Sequence, residues 1–246
     1  MSDSMAQLNA AGSTEPHMST AETLSSIFFE PSRTFEALRA RPRFLVAGLI
    51  LLILTCLVTA VLYLRVDMAQ FIRDRMERSP NAAQQTEQQK EMGIKIGKAI
   101  GAVGVPLSVP ITIAGGAALY LLGAMMMGGA INYKKAVSVW TYSALPPSIL
   151  AGLTAILVLL LKAPDTVDPE HLAVTNPGAL MSNEASPILV AALSQFDILR
   201  FYGLFLAAVG LRRVAKLSSG AAWTIVLGLW ALGLVLRVGS AAIFGR

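Results

Sequence analysis

One cysteine and two histidines among 246 residues leave little room for several kinds of function. Cys56 stands alone inside an apolar run, so no intrachain disulfide and no thiolate pair for a metal can form. His17 and His171 lie in polar segments without ligand-like neighbours, so neither a metal nor a cofactor is expected. Charge is scarce too: 14% of the residues are charged, against about a quarter in a soluble domain. The balance is +5, yet no basic cluster is interleaved with aromatics, and nucleic acid is not expected as a partner. No Gly-rich phosphate loop and no nucleophile with a neighbouring base occurs, so no catalytic residues are assigned and the chain reads as no enzyme.

What is abundant is apolar sequence, at 54% of residues with a mean hydropathy of +0.61. A soluble fold could not cover so much of it. A helix of about 20 apolar residues crosses the hydrocarbon of a bilayer, and five windows come close to that length: 44–64, 99–130, 136–161, 188–211 and 221–244. The fold class that follows is an all-α integral membrane protein with five transmembrane helices. Pro106 and Pro110 interrupt the second window and Pro146 and Pro147 the third, so helix breaks are expected there. Residues 1–18 are small and polar and read as a disordered tail. Over 19–43, Ser19 and Glu22 stand in capping-box spacing. Leu24, Ile27, Phe28, Phe35 and Leu38 then alternate with Arg33, Arg39 and Arg41, the pattern of amphipathic helices lying among lipid headgroups. Residues 65–98 are polar but periodic. Met68, Phe71, Ile72 and Met76 form one stripe and Met92, Ile96 and Ile100 another, with a turn at "SPN" (79–81) between them. An extramembrane helical hairpin closed by these two stripes is expected.

Positive charge suggests the orientation. With the amino terminus cytoplasmic, the inner segments carry Arg33, Arg39, Arg41, Arg43, Lys134, Lys135, Arg212, Arg213 and Lys216, while the acidic loop after Lys162 faces out. The hairpin opposes this with seven bases, Arg65 through Lys98. Three short segments outweigh it. Within "SQFDILRFYGLFLAAVGLRR" (194–213), Asp197 and Arg200 then lie roughly 22 and 18 Å above Arg212, and Arg237 reaches a similar height on the next span. Ionisable residues at membrane depth mark function by default. Close to an interface, a polar cluster of Asp197, Arg200 and Arg237 tying two spans together is the better reading. On it, Asp197→Asn would destabilise the fold by stranding a cation.

"GGAINYKKAVSVWTYSALPPSIL" (128–150), followed by "FDILRFYGLFLAAVGLRRVAKLSSGAAW" (196–223), resembles the Yip family of membrane proteins, the Ypt-interacting-protein domain, and "IFFEPSRTFEAL" (27–38) resembles the start of its bacterial members. The resemblance covers roughly 24–236. It implies five spans, a cytoplasmic amino terminus and a short carboxyl terminus on the far side, with Pro146, Pro147 and Asp197 at family-typical positions. Eukaryotic relatives are implicated in vesicle traffic and small-GTPase binding; the long hairpin has no counterpart in the better-known ones. The expected function is a membrane-organising or partner-binding adaptor in the bacterial inner membrane, with the bilayer, a membrane or cytoplasmic protein, or a second copy of the chain as partner. The alternative is a small transporter or channel built on Asp197, Arg200 and the proline-broken helices.

Overall fold

The computed structural model describes residues 18–77, 84–169, 172, 175–181 and 185–244. Residues 1–17 of the expected tail (1–18) and the hairpin's turn (79–81) lie outside the described residues, while Met18, the tail's last residue, is described and buried. Ten α-helices and no strand occur among those described.

Two short helices, α1 (Thr20–Phe29) and α2 (Pro31–Ala40), open the chain. Ser19 Oγ accepts from the Glu22 amide at 3.1 Å and the Glu22 carboxylate accepts from the Ser19 amide at 3.4 Å, so the capping box forms as the spacing predicts. Pro31 begins α2 at a position whose N–H would be unpaired anyway. Ile27, Phe35 and Leu38 of their apolar face are buried against the bundle behind them.

The bundle consists of α3 (Leu45–Arg65), α6 (Val105–Met126), α7 (Tyr133–Leu161), the bent pair α8 (Pro187–Leu193) and α9 (Ile198–Val214), and α10 (Ser219–Phe244). α7 is its axis and packs on α3, α6 and α9; α10 covers α8 and α9, and α2 lies across α9. Val139, Tyr142 and Leu145 of α7 meet Ala207 and Leu211 of α9 in the core. Outward, Leu45, Leu49, Ile53 and Leu57 recur every four residues on α3, each at least half exposed. Such a stripe is compatible only with an apolar surrounding. Four helices are long and apolar enough to cross a membrane, and the α8–α9 pair, bent by 46°, makes a fifth where it is counted as one span. The protein is a multi-pass, all-α membrane protein.

Three details depart from the sequence reading. α7 runs unbroken through Pro146 and Pro147, and α6 through Pro110. The irregularity near the prolines is instead a π-helical turn at 100–104, directly before Pro106, where the wider turn accommodates a residue that cannot donate to the carbonyl four places back. The fourth window is the interrupted one, between Leu193 and Ile198.

The hairpin forms from α4 (Met68–Glu77) and α5 (Glu87–Ala99), which pack on each other. Its seam is not the expected one. Met92, Ile96 and Ile100 point away and are about half exposed or more, while a glycine ladder at Gly93, Gly97 and Gly101 faces the partner elements. Met76 covers Gly93, Ile72 covers Gly97 and Tyr63 covers Gly101. Small residues let the helices close up where larger ones would hold them apart. Outside the membrane, Lys90 Nζ lies 2.8 Å from Glu87 and holds that carboxyl below its usual range.

Candidate functional site at the interrupted span

The interruption begins where the sequence turns polar at Ser194 and Gln195 and ends at Asp197. Asp197 is the N-cap of α9. A new helix start leaves its first amides without intrahelical acceptors, which is costly away from water. Here each is satisfied. The Ile198 amide donates to the Thr175 carbonyl at 3.2 Å, and the Leu199 and Arg200 amides donate to Asp197 Oδ1 at 2.8 and 3.1 Å. The Thr175 hydroxyl donates to Asp197 Oδ2 at 2.5 Å. Thr175, which follows α7 in the chain, is pinned to the start of α9 through both its backbone and its side chain.

Arg200 turns elsewhere. Its Nη1 donates to Gln195 Oε1 at 2.7 Å, and Gln195, only 1% exposed, receives Trp230 Nε1–H on its carbonyl at 3.3 Å. Trp230 stacks edge-on to Phe196, with ring centroids 5.5 Å apart, and tilted to Phe201 at 5.8 Å. Asp197 and Arg200 line the same cleft, but among the described residues no carboxylate–guanidinium bridge joins Asp197 to Arg200 or Arg237. The two unforeseen members are Thr175 and Gln195. The polar residues at 194–195, placed before an aspartate and a fresh apolar run, were the legible signal of a second helix start.

Pro147 contributes from α7. A Cβ on Gly203 of α9 would sit 3.4 Å from the Pro147 ring and 3.6 Å from the Ser143 carbonyl, the group that proline leaves without an intrahelical donor. α9 therefore crosses α7 closely at its proline step. Two clefts flank Asp197. One, about 360 Å³, is lined by Tyr120, Ser143, Pro147, Arg200 and Gly203; the other, about 410 Å³, by Leu54, Val58, Gly152 and Thr175. Both reach Ala151, Asp197 and Leu199. Among the described residues no group of three or more His, Cys, Asp and Glu side chains could hold a metal ion. The arrangement is a satisfied cap fastening a loop, two helices and an aromatic cluster together, not a set of poised acids and bases.

The two ends of the bundle follow from contacts of the same kind. Ala130 N donates to Ala215 O at 3.0 Å, and Arg213 bonds Glu36 of α2 at 2.7 Å, so α2 and the α6–α7 and α9–α10 turns share one end. At the other, Arg65 Nε donates to the Leu159 carbonyl at 3.0 Å, capping the end of α7, and the Tyr63 hydroxyl donates to Lys98 O at 2.8 Å. The hairpin and the Thr175 loop belong to that second end.

Compared with known proteins, the chain is similar to the membrane protein YknW of Bacillus subtilis (strain 168), with 24% identity over 225 residues that cover 90% of each chain. No solved structure matches it. The model of the Yip1 domain matches residues 25–239, from the first turns of α1 to the end of α10 and across the whole site around Asp197, and the chain belongs to the Yip1 domain family.

Proposed function

We propose that this protein is a non-enzymatic membrane organiser that recruits a protein partner through the α4–α5 hairpin. Its bundle would sit in a bacterial inner membrane, with α1 and α2 on the cytoplasmic side. The single observation that carries the reading is the shape of the hairpin. Residues Glu87–Met126 run as a 40-residue rod, about 60 Å long. That is twice the hydrocarbon thickness, so about half of it stands clear of the bilayer. The projecting half packs chiefly on α4 through its glycine ladder. It presents Met92 and Ile96, 57% and 49% exposed, above the membrane. An apolar stripe held out by a self-supporting stalk suits a partner better than water. Crosslinking of the full-length protein in its native membrane tests this. A discrete partner should be recovered from wild type and lost from Met92→Lys/Ile96→Lys, while the variant still inserts and melts normally. Equal recovery from both overturns the reading.

A second reading keeps one specific observation: two clefts meet at Asp197 beside an interrupted helix, a place where transporters bind solutes. Purified protein in sealed vesicles that passes a small solute, and loses this on Gly203→Leu without unfolding, would favour it over the adaptor.

A further inference from the structure

On the other side of α7, near the end that carries α2, lies a groove unlike the clefts beside Asp197. It encloses about 420 Å³ between α3, α6 and α7, with Leu45, Gly48, Leu49, Pro110 and Ile113 in its walls. Leu45 and Leu49 are 75% and 54% exposed, so the groove opens sideways to whatever surrounds the bundle. Besides Tyr133, whose hydroxyl donates to the Ala114 carbonyl, two polar residues interrupt this apolar lining. Lys134 stands at the start of α7, and no described carboxylate pairs with it. Deeper in, Thr141 is fully buried and its hydroxyl has no hydrogen-bond partner. Thr55, Thr154 and Thr224 each donate to the carbonyl four residues earlier; Thr141 does not. A buried hydroxyl left so costs about 1–3 kcal/mol, and an acceptor brought into the groove would relieve it.

The spacing limits what that acceptor is. Thr141 lies seven residues beyond Lys134, about 10 Å along the helix. The headgroup layer on each side of a bilayer is roughly 5–8 Å deep. A cation among headgroups and a hydroxyl at the top of the hydrocarbon match the phosphate and the ester carbonyls of one phospholipid. Gly48 lies at the floor, where a Cβ would come into ordinary contact with Ile113 at 3.7 Å and with the Thr141 methyl at 3.9 Å. Tyr133 holds the start of α7 onto α6 by donating to the Ala114 carbonyl at 3.1 Å, which fixes the wall.

We propose that this groove binds one anionic phospholipid from the leaflet on the α2 side. The phosphate pairs with Lys134, an ester carbonyl accepts from the Thr141 hydroxyl, and an acyl chain lies along Gly48, Leu49 and Ile113. The site is separate from the hairpin and from Asp197.

Native mass spectrometry of the full-length detergent-purified protein, titrated with dioleoylphosphatidylglycerol or dioleoylphosphatidylcholine, tests it. Wild type should retain the anionic lipid about tenfold better, because both lipids offer the phosphate but choline sets a second cation beside Lys134 and offsets the pairing. Lys134→Ala should abolish the preference and Lys134→Arg keep it. Thr141→Val should cut retention of the anionic lipid several-fold without lowering the melting temperature, because it deletes the unpaired hydroxyl. Lys162→Ala, at the opposite end, should leave the preference intact. Equal retention of the two lipids by wild type, unchanged preference in Lys134→Ala, full retention in Thr141→Val, or lost preference in Lys162→Ala each overturns the proposal.

Discussion

Asp197→Ala and Asp197→Asn separate the two jobs a carboxylate can do at a helix start. If Asp197 balances a cation, both variants strand that cation and both destabilise. The geometry argues for the other job: its oxygens serve the Leu199 and Arg200 amides and the Thr175 hydroxyl, while Arg200 leans on Gln195. Asparagine caps about as well as aspartate, whereas alanine loses about 0.5–2 kcal/mol at an N-cap. Thermal unfolding in detergent should show Asp197→Ala clearly lowered and Asp197→Asn only slightly, through the Thr175 contact. Equal losses would restore the ion-pair reading. The sequence shows the residue and its rough depth, because helical rise is a constant. It hides the partner, because i,i+3 spacing brings Asp197 and Arg200 onto one face whether their side chains meet or not. Thr175 is 22 residues away along a loop with no period to extrapolate. Thr141 was hidden for a related reason, since an unpaired hydroxyl is a property of its surroundings.

Among the helices, close approach is the better guide to what holds the parts together. α2 docks by burying Phe35, whose ring packs against Gly210 of α9; a Cβ on that glycine would come within 2.9 Å of it. The same pair of helices carries the Glu36–Arg213 bridge at 2.7 Å, but both side chains are 37% exposed. Screened pairs of that kind contribute about 0–1 kcal/mol, whereas truncating a buried Phe costs about 3–5 kcal/mol. Phe35→Ala should therefore release α1–α2 to limited proteolysis at Arg39 and Arg41 and Arg213→Ala should not; the reverse order would assign the docking to charge. In the hairpin the glycine ladder makes graded demands. Gly93 faces the flexible end of Met76, so Gly93→Ala should be near neutral: the gain in helix propensity, about 0.5–1 kcal/mol, offsets a small shift. Gly101 faces the Tyr63 hydroxyl that bonds Lys98 O, so Gly101→Ala should break that bond and speed amide exchange along α5. Similar exchange in both variants would remove the ladder as the seam. The hairpin's existence was legible in its periodicity, and so were the capping box and the span of α3. Its seam was not, because a search for apolar stripes passes over glycine. The prolines misled in the opposite direction, since neighbouring helices can absorb a freed carbonyl as α9 does beside Ser143.

For the whole molecule, the arrangement of ends is a stronger constraint than the count of spans. α2, the 127–132 turn and the 215–218 turn are joined by direct hydrogen bonds, and α3, α5 and α7 meet at the other end through Tyr63 and Arg65. Any orientation that keeps these contacts puts the hairpin's described bases opposite the bases of the three short segments. The positive-inside rule is therefore violated by one group or the other. Short segments near span ends weigh most in that rule, and the hairpin holds five acids beside its bases, so it is the hairpin that should be translocated. A membrane-impermeant maleimide applied to intact cells decides this in a Cys56→Ser background. Lys95→Cys and Lys162→Cys should label from outside, and Lys135→Cys and Lys216→Cys only after the membrane is opened. Labelling of the second pair alone would invert the protein and move the partner-facing hairpin to the cytoplasm. Labelling of Lys135 and Lys216 on different sides would contradict the Ala130–Ala215 contact and with it the bundle.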